Sequence, residues 1–237
     1  EQRSVQGRLG EKLLDALGAA GIALPSACGG KGTCGQCRVR IAQRPPPALP
    51  TEVARLSPRE IAHGERLACQ LTLRDDIAIR IPDEIFGVRH WTCRVRSARC
   101  VGTMIREIVA ELPDDERIQF RAGSFVQVTA PPYQTRFRNV PIEEWIRPEW
   151  DRLDLWRHDA RSRTSVTRAY SLAHPPAKDR TIRLLIRLAT PPASAPSGTP
   201  PGIVSSYLFQ LNPGSELEVS GPYGHFFADE SEREMIF

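Results

Sequence analysis

The sequence predicts an α+β chain with two domains, a small mixed domain followed by a small antiparallel β-barrel. A length of 237 residues is compatible with either one large domain or two domains of ordinary length. After Pro82 the chain is filled with short strand-like segments separated by turns, a density typical of a small barrel. Before Pro82, a helical segment and two strand-like segments flank a glycine-rich loop that contains three cysteines.

The composition excludes some classes of protein. A hydrophobic fraction of 41% and a charged fraction of 25% are ordinary for a globular chain. A net charge of +4 without a block of Lys and Arg gives no sign of a nucleic-acid partner. No run approaches the ~18 apolar residues that a membrane helix needs, and no signal peptide is recognised. Six cysteines in such a chain suit a reducing compartment.

The first domain is predicted from three periodic segments. Leucines recur at helical spacing in Glu11–Ala20, and alternation predicts strands at Cys37–Ile41 and Asp76–Ile81. Thr51 and Ser57 are predicted N-caps of short helices. Ser57 is followed by proline and, three residues on, by glutamate, which is the pattern of a capping box.

The second domain is predicted from a series of short strands. A long insertion, residues 131–163, interrupts the series, and a helix over Gly202–Leu211 follows it. The Trp and Arg side chains of the insertion suit either a surface that docks a partner or a self-packed cover over the barrel. The five predicted strands are His90–Val101, Ile105–Leu112, Ser124–Ala130, Thr167–Ala173 and Thr181–Ala189.

Four cysteines have the spacing of metal ligands. Cys28, Cys34 and Cys37 lie in one run with the pattern C-x5-C-x2-C, and Cys69 follows much later. Three thiolates on a glycine-rich loop plus one distant thiolate is the ligand plan of a [2Fe–2S] cluster. Glycine lets the backbone approach such a cluster and turn N–H groups toward its sulfurs. The glycines of the loop are Gly29, Gly30, Gly32 and Gly35.

Other uses of these cysteines fit less well. Structural zinc usually takes two pairs that are close in sequence, and Cys69 has no such neighbour. Disulfides suit short secreted chains, and free structural thiols would leave the glycines unexplained. The first gap holds five residues rather than the four of the plant-type pattern, a gap that the adrenodoxin type also uses. Cys93 and Cys100 lie in a strand-like run and are predicted to be structural thiols.

A second motif suits a flavin. Arg168, Tyr170 and Ser171 lie on a predicted strand, where alternation places Arg168 and Tyr170 on one face and Ser171 on the other. The arginine can pair with a phosphate, the tyrosine can stack on an isoalloxazine, and the serine can bond its polar edge. Alone, this short motif is weak.

The start of the predicted helix strengthens the flavin hypothesis. Gly202, Ile203, Val204 and Ser205 form a glycine turn that leads into the helix. A helix N-terminus offers free N–H donors and a favourable dipole to a pyrophosphate. A plain glycine and serine start to an amphipathic helix is the alternative interpretation. The segment Gly221–Gly224 is predicted to be a turn, ahead of Phe226 and Phe227, that shapes the far side of the flavin pocket.

Several stretches together resemble a known family, the F subunits of the Na+-translocating NADH:quinone oxidoreductases. The link between the domains, Pro82–Val88, is more specific than either cofactor motif. The matching stretches run over essentially the whole chain and are Ser26–Val39, Arg66–Gln70, Pro82–Val88, Arg168–Ser171, Arg187–Pro192, Gly202–Tyr207 and Ser220–Gly224.

The resemblance implies a β-grasp ferredoxin-like domain followed by an antiparallel six-stranded flavin-binding β-barrel of the ferredoxin-reductase type. It also implies an electron path from NADH through FAD to a [2Fe–2S] cluster, and on to membrane subunits that reduce ubiquinone while pumping Na+. The four motif cysteines would ligate the cluster, and the residues of the two flavin motifs would hold FAD. The location implied is the cytoplasmic side of a bacterial inner membrane.

The domain bounds expected on this basis are 1–82 for the cluster domain, 83–89 for a linker and 90–230 for the FAD barrel. Residues 231–237 resemble the first strand of an NADH-binding domain. We therefore expect an internal fragment, without that domain and without the family's N-terminal membrane helix. The alternatives are a soluble reductase that feeds an oxygenase, a ferredoxin-like carrier that binds no flavin, and a zinc-stabilised interaction module.

Overall fold

A computed structural model of the chain describes residues 2–82, 85, 87–176, 180–192, 194–196, 198–224 and 227. The buried hydrophobic side chains form two cores, one drawn from residues 13–85 and the other from residues 91–219. In sequence, the first core ends at Ile85 and the second begins at Trp91, so the predicted linker, 83–89, covers the boundary between them. Residues 83, 84 and 86 of this linker are outside the described residues. Its bounds stay a prediction. The predicted strand start at 231–237 and Phe226 are also outside the described residues.

The first domain is a three-stranded antiparallel sheet with three helices. Its elements are α1 (Leu13–Ala19), β1 (Arg38–Ile41), α2 (Pro50–Val53), α3 (Pro58–Ala62), β2 (Glu65–Leu67) and β3 (Ile79–Arg80). Helix α1 buries Leu13, Ala16 and Leu17, and strand β1 buries Val39 and Ile41, as their periodicity predicts. Strand β1 lies in the middle of the sheet, between β2 and β3.

The two predicted helix caps have different outcomes. Ser57 caps α3 as predicted, because its Oγ accepts from Glu60 N at 3.3 Å while Glu60 accepts from Ser57 N at 2.6 Å. The prediction for Thr51 is wrong, since α2 begins one residue earlier, at Pro50 after an extended Leu49. Proline suits the first turn of a helix, where its missing N–H costs nothing.

The second domain is built on a curled antiparallel sheet of six strands. The strands are β4 (Arg89–Gly102), β5 (Ile105–Glu111), β6 (Phe125–Ala130), β9 (Val166–Ser171), β10 (Thr181–Arg187) and β11 (Glu216–Tyr223). They lie in the order β10-β5-β4-β11-β6-β9. The predicted six-stranded architecture is confirmed, although the barrel is only partly closed. Among the described residues, its two edges meet at a bridge between Leu172 and Leu184.

The predicted turn at Gly221–Gly224 is wrong, because its first three residues belong to β11. Gly221 is opposite Arg89 on β4, and Tyr223 is opposite Phe125 on β6. The pairing with β6 shifts register between Ser220 and Tyr223. That irregularity breaks the alternation that identifies a strand, so the local pattern resembles a turn.

The insertion is an ordered part of the barrel domain. It contains the hairpin of β7 (Tyr133–Arg136) and β8 (Asp159–Ser162), and helix α4 (Arg147–Arg152) lies between these two strands in the chain. Trp150 of α4 is fully buried, and its indole N–H donates to the Thr103 carbonyl at 2.7 Å. This packing favours the predicted cover over the barrel, although Trp145 remains 62% exposed.

Helix α5 (Ile203–Gln210) packs most of its length into the barrel core, in agreement with the predicted helix over Gly202–Leu211. Within the described part of the chain, no helix has the length and apolar character needed to cross a membrane.

Candidate functional site

The four motif cysteines come together as two pairs. The side chains of Cys28 and Cys34 are hydrogen-bonded to each other, and so are those of Cys37 and Cys69. Among the described residues, no group of three or more His, Cys, Asp or Glu side chains is placed to hold a single metal ion. A [2Fe–2S] cluster takes four thiolates across two irons, and two pairs of cysteines fit that plan.

The two thiols of each pair differ in their pKa. Burial opposes ionisation of Cys28, but hydrogen bonds from Cys34 and Thr33 outweigh it and lower its pKa to about 6. A hydrogen bond from the Cys37 thiol lowers the pKa of Cys69 to about 6 as well. The pKa of Cys34 is raised by burial, and that of Cys37 by its bond to Cys69 and by burial. Each pair therefore contains one thiol that ionises readily, and the thiolate is the form that binds metal.

The glycines of the predicted cluster loop, residues 26–37 and called the cluster loop below, adopt backbone conformations that glycine permits and other residues rarely adopt. Gly29, Gly30, Gly32 and Gly35 all have positive φ, between 62° and 86°. A side chain would be strained at each of these positions. The loop is also held from within, because Ser26 Oγ accepts from Gly30 N at 3.1 Å.

A buried carboxylate positions the segment that carries Cys69. Glu52 is 1% exposed, and its two oxygens accept from Leu67 N and from Leu49 N, each at 2.8 Å. Leu67 ends β2, two residues before Cys69. Sequence reasoning missed Glu52, since nothing local distinguishes it from a surface glutamate of a short helix.

The predicted flavin strand is β9, and its register places Arg168 and Tyr170 on one face as predicted. Tyr170 is partly buried, and burial raises its pKa. Ser171 ends the strand and is exposed. Arg168 donates to the Thr167 carbonyl at 2.7 Å, so its guanidinium folds back toward its own strand.

The start of α5 is held tightly against the segment that follows β10. Gly202 N donates to the Ala189 carbonyl at 2.7 Å, and Ser205 Oγ lies between Ala189 N and the Gly202 carbonyl, at 3.2 and 3.1 Å. A Cβ at Gly202 would be 2.8 Å from Ala189 Cβ, so close packing requires glycine. The serine hydroxyl is therefore used within the chain. The N–H groups of the first turn, at Ile203, Val204 and Ser205, have no acceptor within the helix.

Tyr133 links the two predicted flavin motifs. From β7 in the insertion, its hydroxyl donates to the Ile203 carbonyl at the start of α5. Its phenol also adds to the effect of burial in raising the pKa of Tyr170 on β9. The structure thus brings Tyr170 and the start of α5 to one side of the barrel. Sequence reasoning did not assign Tyr133 to this site, because its distance in sequence from both motifs hides the contact.

The cluster loop lies directly against the flavin strand. A Cβ added at Gly29 would be 1.5 Å from Arg168 Nη1 and 3.1 Å from the Thr167 carbonyl oxygen. A cleft of about 790 Å³ opens between the domains here, lined by Ser26 and Gly29 of the loop and by Arg168 and Ile203 of the barrel domain. The two candidate cofactor sites are therefore neighbours.

Gln127 forms hydrogen bonds between the two domains. This β6 side chain is 3% exposed, and its amide accepts from Ser26 N at 3.0 Å and donates to the Leu24 carbonyl at 3.3 Å. Beside it, the Tyr223 hydroxyl donates to the Ala23 carbonyl at 3.5 Å. The barrel domain thus binds the backbone that leads into Cys28, the first of the four motif cysteines.

Comparisons with known proteins give the type of each domain. Residues 1–74 match the model of the 2Fe-2S iron-sulfur cluster binding domain, and residues 156–227 match that of the oxidoreductase FAD-binding domain. The matches give the cofactors of the chain as a [2Fe–2S] cluster and FAD, as predicted.

Curated relatives decide the family. The F subunit of the Na(+)-translocating NADH-quinone reductase of Methylococcus capsulatus is 43% identical over 236 residues, and that of Yersinia pseudotuberculosis is 42% identical over 237. Both alignments cover 100% of this chain. The chain belongs to the family of Na+-translocating NADH-quinone reductase F subunits. It spans 58% of the length of each of these relatives.

Solved structures agree with the fold expected of such an F subunit. The cytochrome P450 reductase GcoB of Amycolatopsis matches with a TM-score of 0.52 and 24% identity, over 96% of this chain and 57% of that one. A ferredoxin reductase of carbazole 1,9a-dioxygenase matches with a TM-score of 0.51 and 22% identity, over 95% and 59%. At these identities the likeness shows the fold alone. The predicted ferredoxin-like domain followed by a ferredoxin-reductase-type barrel is confirmed.

Proposed function

We propose that the chain is the electron-input part of a Na+-translocating NADH:quinone reductase. In this proposal, electrons from NADH reach FAD in the barrel domain, then a [2Fe–2S] cluster in the first domain, and finally membrane subunits that reduce ubiquinone. The protein would act on the cytoplasmic side of a bacterial inner membrane, with NADH bound by a further domain. The relatives support this, because they are named as a subunit of such a reductase.

One observation supports the proposal most: the contact between the two candidate cofactor sites. Gly29 of the cluster loop lies against Arg168 of the flavin strand without room for a Cβ. When both groups are bound, the flavin accepts a hydride as two electrons and the cluster carries electrons singly. A chain that brings the two sites into contact is suited to electron transfer between them.

The residues of the first domain would hold the cluster. Cys28 and Cys34 form one pair and Cys37 and Cys69 the other, so we assign one pair to each iron. The positive-φ glycines let the loop backbone approach the sulfurs. Glu52 would keep the Cys69 segment in place through its bond from Leu67 N.

The residues of the barrel would hold FAD. Tyr170 offers a ring face for stacking, and Arg168 offers a charge for a phosphate. Ser171, exposed at the strand end, is assigned to the polar edge of the flavin ring. No acid or base is needed in this set, because hydride transfer depends on positioning. The pyrophosphate is assigned to the N–H groups of Ile203, Val204 and Ser205, with Gly202 allowing the helix to start close to Ala189.

An optical redox titration tests the proposal. The chain is purified anaerobically, supplied with iron, sulfide and FAD, and titrated with dithionite. Flavin and cluster bands that both bleach, the cluster by one electron, are the expected result. A Tyr170→Ser variant is expected to lose flavin and keep the cluster, whereas Tyr170→Phe is expected to keep both. Zinc in place of iron, or a full-length protein that binds no flavin, would contradict the proposal.

The alternative of a soluble reductase for an oxygenase is tested in the full-length protein. The subunit proposed here should sediment with membranes and leave them only with detergent. Recovery in the soluble fraction would favour the alternative. The comparisons favour the membrane complex, because the relatives that are more than 40% identical carry its name.

A further inference from the structure

Gln70 places an amide beside one of the cluster cysteines. Its Nε2 lies 3.3 Å from Cys69 Sγ and 3.4 Å from the Gly30 carbonyl oxygen. On the other side, Thr51 Oγ1 is 3.2 Å from Gln70 Oε1. A single side chain thus connects the Cys69 segment, the cluster loop and helix α2.

These neighbours determine which end of the amide faces the sulfur. The Gly30 carbonyl can only accept a hydrogen bond, and so can a Cys69 thiolate that ligates metal. Reversing the amide of Gln70 would set its oxygen against both acceptors. The Thr51 hydroxyl can donate to Oε1 in the observed orientation. These contacts therefore place the N–H donor of the Gln70 amide, and not its oxygen, beside the Cys69 sulfur.

The packing keeps the amide at this position. A Cβ at Gly32 would come within 2.8 Å of both Cδ and Nε2 of Gln70, so glycine at this point of the loop leaves room for the amide. Gln70 is only partly exposed, and its backbone carbonyl accepts from Lys12 Nζ at 3.2 Å. Because both the backbone and the side chain of the residue are held, water does not easily replace the amide at the sulfur.

We propose that Gln70 raises the reduction potential of the cluster by donating an N–H···S hydrogen bond to Cys69. This inference rests on the proposed function, because it takes Cys69 as a cluster ligand. Reduction adds one electron and breaks no bond, so one negative charge spreads over the cluster and its thiolates. A donor at a ligand sulfur stabilises that added charge more than it stabilises the oxidised form, and the potential rises.

The test is the midpoint potential of the cluster in the reconstituted chain, measured by dithionite titration with optical and EPR detection. Gln70→Leu keeps a similar volume without a donor and is expected to lower the potential. Gln70→Glu removes the donor and adds a negative charge, so it should lower the potential further. Thr51→Val removes only the group that orients the amide and should cause a smaller fall. Gln6→Leu, at an exposed position of the same domain, is the control and should match the parent chain.

A role in packing alone would predict a different result. Iron content and thermal stability would change with Gln70→Leu, while the potential of the assembled cluster would stay at the parent value. An unchanged or higher potential in Gln70→Leu overturns the inference, and so does an unchanged potential in both Gln70→Glu and Thr51→Val. The proposed function fails separately, when the parent chain assembles no [2Fe–2S] cluster at all.

Discussion

In the first domain, three of the four proposed cluster ligands lie within residues 28–37, and the positive-φ glycines between them set their positions. In the barrel domain, the proposed flavin site draws on β7, β9 and the start of α5, which are far apart in sequence. The cluster site is therefore encoded mainly by a local motif, and the flavin site by the packing of α5 against β7 and β9. A substitution in the loop should affect the cluster alone, unless it touches the contact between the domains.

The largest expected effect is the loss of the cluster without any loss of FAD. Cys37→Ala removes one of four thiolates that the cluster needs, so we expect loss of the cluster absorption and EPR signal with FAD content unchanged. Cys93→Ala is the matched control, because Cys93 is equally buried but lies in the barrel core. The proposed ligand assignment is wrong where Cys37→Ala retains a cluster or Cys93→Ala loses it.

The second prediction concerns a substitution in the cluster loop that also weakens the binding of FAD by the barrel domain. Gly29→Ala places a methyl group where the Arg168 guanidinium lies and 3.1 Å from the Thr167 carbonyl oxygen, so the guanidinium has to move. Because Arg168 is assigned to a phosphate of FAD, we expect FAD affinity to fall by ~tenfold, or ~1.4 kcal/mol. Gly30→Ala is the control, since it has a similar positive φ but nothing within 4 Å of its Cβ. Both variants should lose about 1–2 kcal/mol of stability from backbone strain. Fluorescence titration with FAD measures the difference, and equal affinities would show that the contact does not matter for the flavin.

A third effect concerns the attachment of the domains. Gln127→Leu leaves Ser26 N and the Leu24 carbonyl without their partner, at a cost of about 1–3 kcal/mol for a buried group. Hydrogen exchange over residues 22–30 should become faster, while exchange in β1 stays the same. The exposed Gln134→Leu is the control. Unchanged exchange over residues 22–30 would argue against Gln127 as the link between the domains.

The smallest expected effect is on the cluster potential alone. Lys31 is an exposed positive charge in the cluster loop, so Lys31→Gly should lower the potential slightly. An exposed charge contributes about 0.2–0.5 kcal/mol, which is ~10–20 mV for a one-electron couple. High salt should reduce this difference by screening. An unchanged or higher potential in Lys31→Gly would contradict the expectation.

The sequence was most informative where structure is local. The capping box at Ser57 and the five predicted barrel strands are present, because motif and period determine them. Alternating burial is clear in β4 and β10 but not in β5, β6 or β9. Strand β11 was missed, although its first four residues alternate; only its end, after the register shift at Ser220, departs from the strand pattern. Tyr133 and Gln127 were missed because their roles depend on partners about 70 and 100 residues away. No local pattern encodes such contacts.

The contact at Gly29 also limits how this protein can be recombined. A ferredoxin domain taken from another reductase would have to fit against the Thr167 carbonyl at the position of Gly29 and offer a backbone N–H and a carbonyl to Gln127. Without these contacts, the transplanted domain would still bind its cluster, but it would not pack against the barrel domain. The two domains are therefore not freely exchangeable modules, and changes in the loop and in β6 or β9 should accumulate together as such chains diverge.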